Sequence, residues 1–345
     1  LNLEESGGDG ISWSWTGPDG FTSNLQNPVI TGTTPANSGD YIVLITDANT
    51  CINQSITTVI VNATPSIFVS SNGPICEGED LNITESGGDA ISWSWTGPDG
   101  FTSTLQNPVI TAAMPVNSGD YTVVITDANT CVNQSITTVV VHATPNVASS
   151  NNSPICEGED LNLSESGGDA VIWNWTGPDG FTSTLQNPVI TGATPVNSGD
   201  YTLVITDANT CSNQSITTVV VHATPAVVAL SNSPICEGED LNLSESGGAA
   251  VSWNWTGPNG FTSTLQNPMI TGATPLNSGN YTVVITDVNG CTEQSIISVV
   301  VNGTPFVFVS SNSPICEGEN LNLEESGGDA ISWSWTGPDG FTSTL

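Results

Sequence analysis

A chain of 345 residues with 34 acidic side chains and no lysine or arginine has no internal ion pair open to it except through its two histidines or a terminus. Such a surface repels nucleic acid and anionic membranes, because phosphate binding needs cations that this chain does not carry. Only 10% of residues are charged, Val, Ile and Thr are plentiful, and no apolar run reaches membrane length, which argues against both disorder and insertion of this segment into a bilayer.

Internal repetition organises the rest. LNLEES at Leu1 returns as LNITES at Leu81, as LNLSES at Leu161 and Leu241, and as LNLEES at Leu321, a constant period of 80 residues. That is too long for a solenoid unit and suits a small domain with its own core. The expected domains are 1–65 (partial, without its first strand), 66–145, 146–225, 226–305 and 306–345 (partial). The sequence is expected to be a window on a longer array. Boundaries fall at the Pro-containing junctions Asn62 to Pro65, His142 to Pro145, His222 to Pro225 and Asn302 to Pro305. Linkers this short make neighbouring domains abut.

In the second repeat, Ile67 to Cys76 reads as a first strand, with Pro74 tolerated at a sheet edge. Glu77 to Asp80 turns into a second strand in which Leu81 and Ile83 alternate inward. A third follows, with Ile91, Trp93 and Trp95 on one face and Ser92 and Ser94 on the other. GPDG (Gly97 to Gly100) is a tight turn. Val109 and Ile110 belong to the next strand, and Pro115 to Asp120 forms a corner. The run Tyr121, Val123, Ile125 then leads through the DANT turn to Cys131, and Val132 to Val141 is the last strand, with Ile136, Thr138 and Val140 expected inward. Apolar positions recur at two, never at the helical period, so the chain is all-β. Trp93 and Trp95 could stack on a glycan, but two same-face tryptophans on a central strand read better as core.

Eight cysteines occupy two fixed positions per repeat, with no CxxC pair and no histidine cluster beside them. Metal or redox chemistry is therefore not expected, and structural disulfides imply an oxidising, extracellular setting.

The order EGED-LNL, I-S-W, NSGDY and a closing turn resembles the intermediate-type immunoglobulin domain, with Tyr121 in the place of the tyrosine corner. PICEGEDLNL, SWTGPDGFTSTLQNP and TDANTC look like the immunoglobulin-like repeats of giant surface proteins of Bacteroidota. Those proteins are exported by the type IX pathway and include gliding-motility and other adhesins. The resemblance implies a tandem array of 80-residue, seven-stranded immunoglobulin-like β-sandwiches, with Trp93, Trp95, Tyr121 and Val123 in the core. The buried disulfide of the animal pattern is missing, since Val123 and Glu85 stand at its two positions. Glu85 is given a structural role at the end of its strand.

On this reading Cys76 lies at one pole of its domain and Cys131 at the other, roughly 20 to 25 Å away along a strand of six to eight residues. A disulfide needs Cα atoms within about 7 Å, so a Cys76–Cys131 bond is hard to close. In a head-to-tail array the facing poles instead put Cys76 beside Cys211 and Cys156 beside Cys291, leaving Cys51, Cys131, Cys236 and Cys316 to partners beyond this window.

The same junctions gather acids: Glu77, Asp80, Asp99 and Asp120 from one pole, Asp169 and Asp207 from the facing loops. Calcium favours oxygen-rich clusters of this kind, and these are its candidate ligands. Against it, the fourth repeat carries Ala249, Asn259 and Asn280 where the others carry Asp. Catalysis is not expected, because His142 and His222 sit at a linker position held by Asn62 and Asn302 elsewhere. Two functional readings remain, a structural stalk or filament and a multivalent adhesin for a surface glycan or partner protein. The expected partners are neighbouring copies, head to tail or laterally in a fibre. Near-identical repeats favour the stalk, since recognition diversifies loops.

Overall fold

The computed structural model describes residues 1–328 and 330–344. Among them are strands, 3-10 turns and loops, and no helix long and apolar enough to cross a membrane. The chain divides into two compact units, one of Leu1–Val147 with Gly167–Trp173 and Val204–Gln214, the other of Ala148–Ser166, Asn174–Leu203 and Ser215–Leu345. This division differs from the 80-residue boundaries because loops of the third repeat, Cys211 among them, belong with the first unit.

Within the first unit, the second repeat is built from β1 (Val69–Ser71), β2 (Ile75–Cys76), β3 (Leu81–Glu85), β4 (Ala90–Thr96), β5 (Thr102–Ser103), β6 (Val109–Ile110), β7 (Gly119–Asp127), β8 (Val132–Val139) and β9 (Val141–His142). They form a four-stranded sheet β8-β7-β4-β5, a three-stranded sheet β6-β3-β1 and a parallel pair β9-β2. The period-two patterns of β3 and β7 send Leu81, Ile83, Tyr121, Val123 and Ile125 inward, where they pack with Ile75, Trp95, Ala113, Val139 and Val141. Each such aliphatic side chain contributes about 1.5 to 3 kcal/mol on burial. In the second unit, Ile235, Leu241, Leu243, Trp255, Tyr281, Val283 and Ile285 form the equivalent core of the fourth repeat. Each of these repeats is thus an immunoglobulin-like sandwich with a core of its own.

Three expectations need correction. The first strand is two strands, because Pro74, joined to Gly73 by a cis bond, offers no N–H. The chain there leaves β3 and joins β9 in parallel, Ile75 opposite Val141 and Cys76 opposite His142. With the short β5, the second repeat has nine strand segments. Ile91 does not share the face of Trp93 and Trp95: the ladder steps from Ser92 to Ala90, and Ile91, left in a bulge, is exposed.

The last strand is shifted by one residue. β7 pairs Tyr121 with Thr137, Val123 with Ser135 and Ile125 with Asn133, so these polar residues face inward while Ile136, Thr138 and Val140 face out. The Asp127–Cys131 turn fixes the register, and a slip of one turns every side chain to the other face. The inward polar groups find partners. Asn133 Nδ2 donates to the carbonyl of Pro65 at 2.9 Å, and in the second unit Ser295 Oγ accepts the N–H of Ala229 at 3.1 Å.

Candidate functional site: the stapled junctions

Each junction is assembled from a rigid turn and a rigid strand end. The turn begins at Asp207, whose Oδ1 accepts the N–H groups of Asn209 (2.9 Å) and Cys211 (2.8 Å). Asp207 N–H in turn donates to the Cys211 carbonyl at 2.9 Å, and Thr210 N–H to that of Asp207 at 3.1 Å. Two short side-chain bonds and two backbone bonds leave Cys211 fixed and fully buried.

On the strand side, Cys76 ends β2. Its N–H donates to Glu79 Oε2 at 2.8 Å, and the next residue, Glu77, donates its N–H to the His142 carbonyl at 2.7 Å. The structure bonds Cys76 to Cys211, Cα atoms 5.5 Å apart, and Cys156 to Cys291, Cα atoms 5.6 Å apart; each pair is 135 residues apart in sequence. Cys51, Cys131, Cys236 and Cys316 are free thiols, and all but the half-buried Cys131 are exposed.

The linker is pinned as well. Thr144 N–H reaches Glu77 Oε2 at 3.4 Å, and Asn213 Nδ2 donates to the Pro145 carbonyl at 2.9 Å. In the second unit Thr304 N–H meets Glu237 Oε2 at the Asn302–Pro305 linker, while at the Cys156–Cys291 joint Glu293 stands where Asn213 does and accepts the N–H of Gln294 instead. Burial raises the pKa of the Asp287 carboxyl, but the N–H groups of Cys291 and Asn289, with the charge of His222, outweigh it and hold the group below the ordinary carboxylate range.

The acids proposed for calcium are not brought together. Among the described residues no three Asp, Glu, His or Cys side chains converge as metal ligands do. Several are committed to local bonds: Asp80 Oδ1 accepts the N–H of Ala112, Asp120 Oδ1 accepts the hydroxyl of Thr138, and Asp207 closes its own turn. Glu77 takes the linker N–H, and Asp99 sits at φ 53° in the turn after Gly97. Asp169 precedes the strand Ala170–Thr176.

The core residues occupy distinct stations. Trp95 is buried and donates its ring N–H to the Leu105 carbonyl at 2.9 Å; Val123 lies opposite it across β4 and β7. Tyr121 is fully buried, donates its hydroxyl to the Asn117 carbonyl at 2.8 Å and receives Phe101 edge-on at 5.4 Å. Gly97 lies against that ring, which a Cβ there would strike. Trp93 is half-buried, and its ring N–H bonds Glu85 Oε2 at 2.9 Å. Glu85, only 2% exposed, also receives Gln106 Nε2 at 3.3 Å, while its own N–H donates to Asn107 Oδ1 at 2.9 Å. A polar clasp between the sheets therefore occupies the region of the missing internal disulfide. Gln106 and Asn107 were not singled out in the sequence, although the tripeptide QNP recurs with each complete repeat.

Two expected results follow from these stations. Thr130 holds a left-handed conformation (φ 67°) that strains a β-branched residue, and the fourth repeat uses Gly290 there (φ 86°). Thr130→Gly is expected to raise the stability of the second repeat by up to about 1 kcal/mol, read from its urea midpoint. The phenols of Tyr41, Tyr121 and Tyr201 are raised by burial first and then by the charges of Asp19, Asp99 and Asp179, and that of Tyr281 by burial, partly offset by Asn277. A raised phenol favours folding below the unfolded value of about 10 and loses that contribution as pH rises toward the folded value. Stability should hold at pH 9 and decline above pH 10 together with tyrosinate absorbance; a decline complete before tyrosinate appears would contradict the assignment.

No protein-family model and no curated protein matches the chain. Among solved structures it is similar to Sidekick-1 immunoglobulin domains 1–5 (14% identity, TM-score 0.30, covering 85% of this chain and 74% of that one). It is similar also to the N-terminal eight immunoglobulin domains of Down syndrome cell adhesion molecule isoform 1.30.30 (13% identity, TM-score 0.38, 94% of this chain and 48% of that one). A third likeness is to three N-terminal domains of the highly immunogenic outer capsid protein of bacteriophage RB49 (13% identity, TM-score 0.32, 70% of this chain and 99% of that one). The chain itself is an all-β tandem array of immunoglobulin-like repeats, with disulfides that join one repeat to the next.

Proposed function

We propose that the chain is a stalk or filament segment of a long bacterial surface protein, secreted and extracellular, whose immunoglobulin-like repeats are stiffened at their joints. The observation that carries this reading is the bond from a strand end of one repeat to the closing turn of the next, at Cys76–Cys211 and Cys156–Cys291. Each of these joints has two covalent connections in place of one, and at the Cys76–Cys211 joint the linker is pinned beside the bond. An oxidising compartment suits such bonds, and the resemblance to the repeats of Bacteroidota surface proteins agrees with export. The 34 acidic residues with no lysine or arginine suit spacing between neighbouring stalks.

The adhesin reading is favoured by one feature. The outer face of the four-stranded sheet presents Ser92, Ser94, Thr122, Val124, Gln134 and Ile136, with the single charge of Asp120 at the margin beside Thr138, a largely neutral patch for a glycan or a lateral neighbour. Electron microscopy of the native cell surface separates the two. Extended stalks labelled along their length by an antibody to the repeats are expected. Label confined to compact particles, or to points of contact with a glycan surface, would overturn the stalk reading in favour of adhesion.

A further inference from the structure

All eight cysteines lie on two covalent lines. Cys51 precedes Cys76 by 25 residues, and the same spacing separates Cys131 from Cys156, Cys211 from Cys236 and Cys291 from Cys316. Through the disulfides, one line runs from Cys51 to Cys76, crosses to Cys211 and continues to Cys236. The other runs from Cys131 to Cys156, crosses to Cys291 and continues to Cys316.

Every 25-residue link has the same make-up: the last strand of one repeat, the linker, and the first strand of the next. Between Cys131 and Cys156 these are β8, β9, Ser149–Asn151 and Ile155–Cys156, with no helix and no hairpin among them. A strand rises about 3.3 Å per residue, and a fully extended chain reaches about 3.6 Å. The strand residues of such a link have roughly a tenth of their length in reserve. The segments that hold the tryptophans and the tyrosine corner, such as residues 77–130 and 157–210, are not on either line; they bridge one line to the other.

Where the lines pass through the second repeat they lie side by side. β2 belongs to one and β9 to the other, and they pair in parallel through Ile75 N–H to the Val140 carbonyl (3.1 Å) and Glu77 N–H to the His142 carbonyl (2.7 Å). Tension along the array pulls both strands in the same direction, so it does not shear that pair apart.

We propose that these two lines carry tension through the protein and that the 54-residue segments between them, which hold most of each core, are shielded from it. The proposal rests on the stalk reading for its biological use, since a stalk transmits force, but its test is made on the isolated chain. Failure of either can therefore be told from failure of the other.

The test is single-molecule stretching of the full chain with Cys131→Ser and Cys316→Ser, held by DNA handles on the exposed thiols of Cys51 and Cys236. With the disulfides intact, the covalent path between the handles contains about 50 residues, strands and short linkers with no folded segment looped out between them, and no unfolding step is expected. With Cys76→Ser and Cys211→Ser added, the shortest path runs through Cys156–Cys291 and contains about 160 residues. Unfolding steps totalling about 400 Å should appear. Should that variant not fold, reduction of the starting protein under load supplies the comparison, because its path is then the whole chain from Cys51 to Cys236. Steps of this size in the oxidised protein, or none in either comparison, would overturn the proposal.

Discussion

Replacing Cys76 and Cys211 together by serine is expected to lower the stability of the joined second and third repeats by about 4 to 5 kcal/mol, the chain-entropy value for a closure of this length. The loop closed is 135 residues, far longer than any closure inside one repeat. For a cooperative unit of about 160 residues that corresponds to a fall of roughly 10 to 20 °C in Tm. The second repeat keeps its core, because neither cysteine belongs to the cluster around Trp95 and Tyr121. The variant should therefore fold and melt earlier, with the second and third repeats no longer melting together. Scanning calorimetry of the oxidised chain and the variant reads both effects. An unchanged profile, or peptide mapping that links Cys76 to Cys131, would show that the staple is absent from the native protein.

Trp95→Ala is the second large effect expected, a loss of about 3 to 5 kcal/mol from the second repeat. The ring is 1% exposed, lies across from Val123 and donates to the Leu105 carbonyl. Removing it opens a cavity between the sheets and leaves that carbonyl without its donor. Trp93→Phe makes a useful contrast. Its ring is half-buried, so little volume is lost, but the buried carboxylate of Glu85 loses its closest side-chain donor. The cost of that change should be about 1 to 3 kcal/mol. Urea titration followed by tryptophan fluorescence orders the two variants, and the fourth repeat, with its separate core, should keep its own midpoint. A larger loss at Trp93 than at Trp95 would mean that the clasp, not the packed core, holds the sheets together.

The clasp shows how far residue type alone carries a reading. Glu85 occupies a position where an immunoglobulin domain places a half-cystine, and a glutamate there looks costly to bury. Trp93 and Gln106 donate to its Oε2 and Asn107 takes its backbone N–H, from other strands and loops, while Oε1 stays buried without a hydrogen-bond partner. Nothing local in the sequence marks those three as its partners. The same holds for Gly87, where a Cβ would meet the Ser66 carbonyl from the start of the repeat. The acids make the opposite case. Clustered on paper, they look like a cation site, yet Asp80, Asp120 and Asp207 are each taken up by a donor within their own repeat.

What the sequence by itself determined is what depends on local periodicity and repetition. The 80-residue period, the strands, the turns at Gly97–Gly100 and Asp127–Cys131, the tyrosine corner at Tyr121 and the inward set Leu81, Ile83, Val123 and Ile125 all follow from patterns a few residues long. Tertiary structure alone decided the register of the last strand. In VNQSITTVVV the alternation is weak, and only pairing with β7 chooses Asn133, Ser135 and Thr137 for the inside. It decided the bulge that expels Ile91, since a ladder irregularity is a property of two strands and not of one. The pairing of Cys76 with Cys211 is divided between the two: the head-to-tail order of the repeats points to it, and the tertiary structure brings the sulfurs together. A disulfide forms between sulfurs that are neighbours in space, and across 135 residues that neighbourhood exists only once each repeat has folded and the linker has brought their poles together.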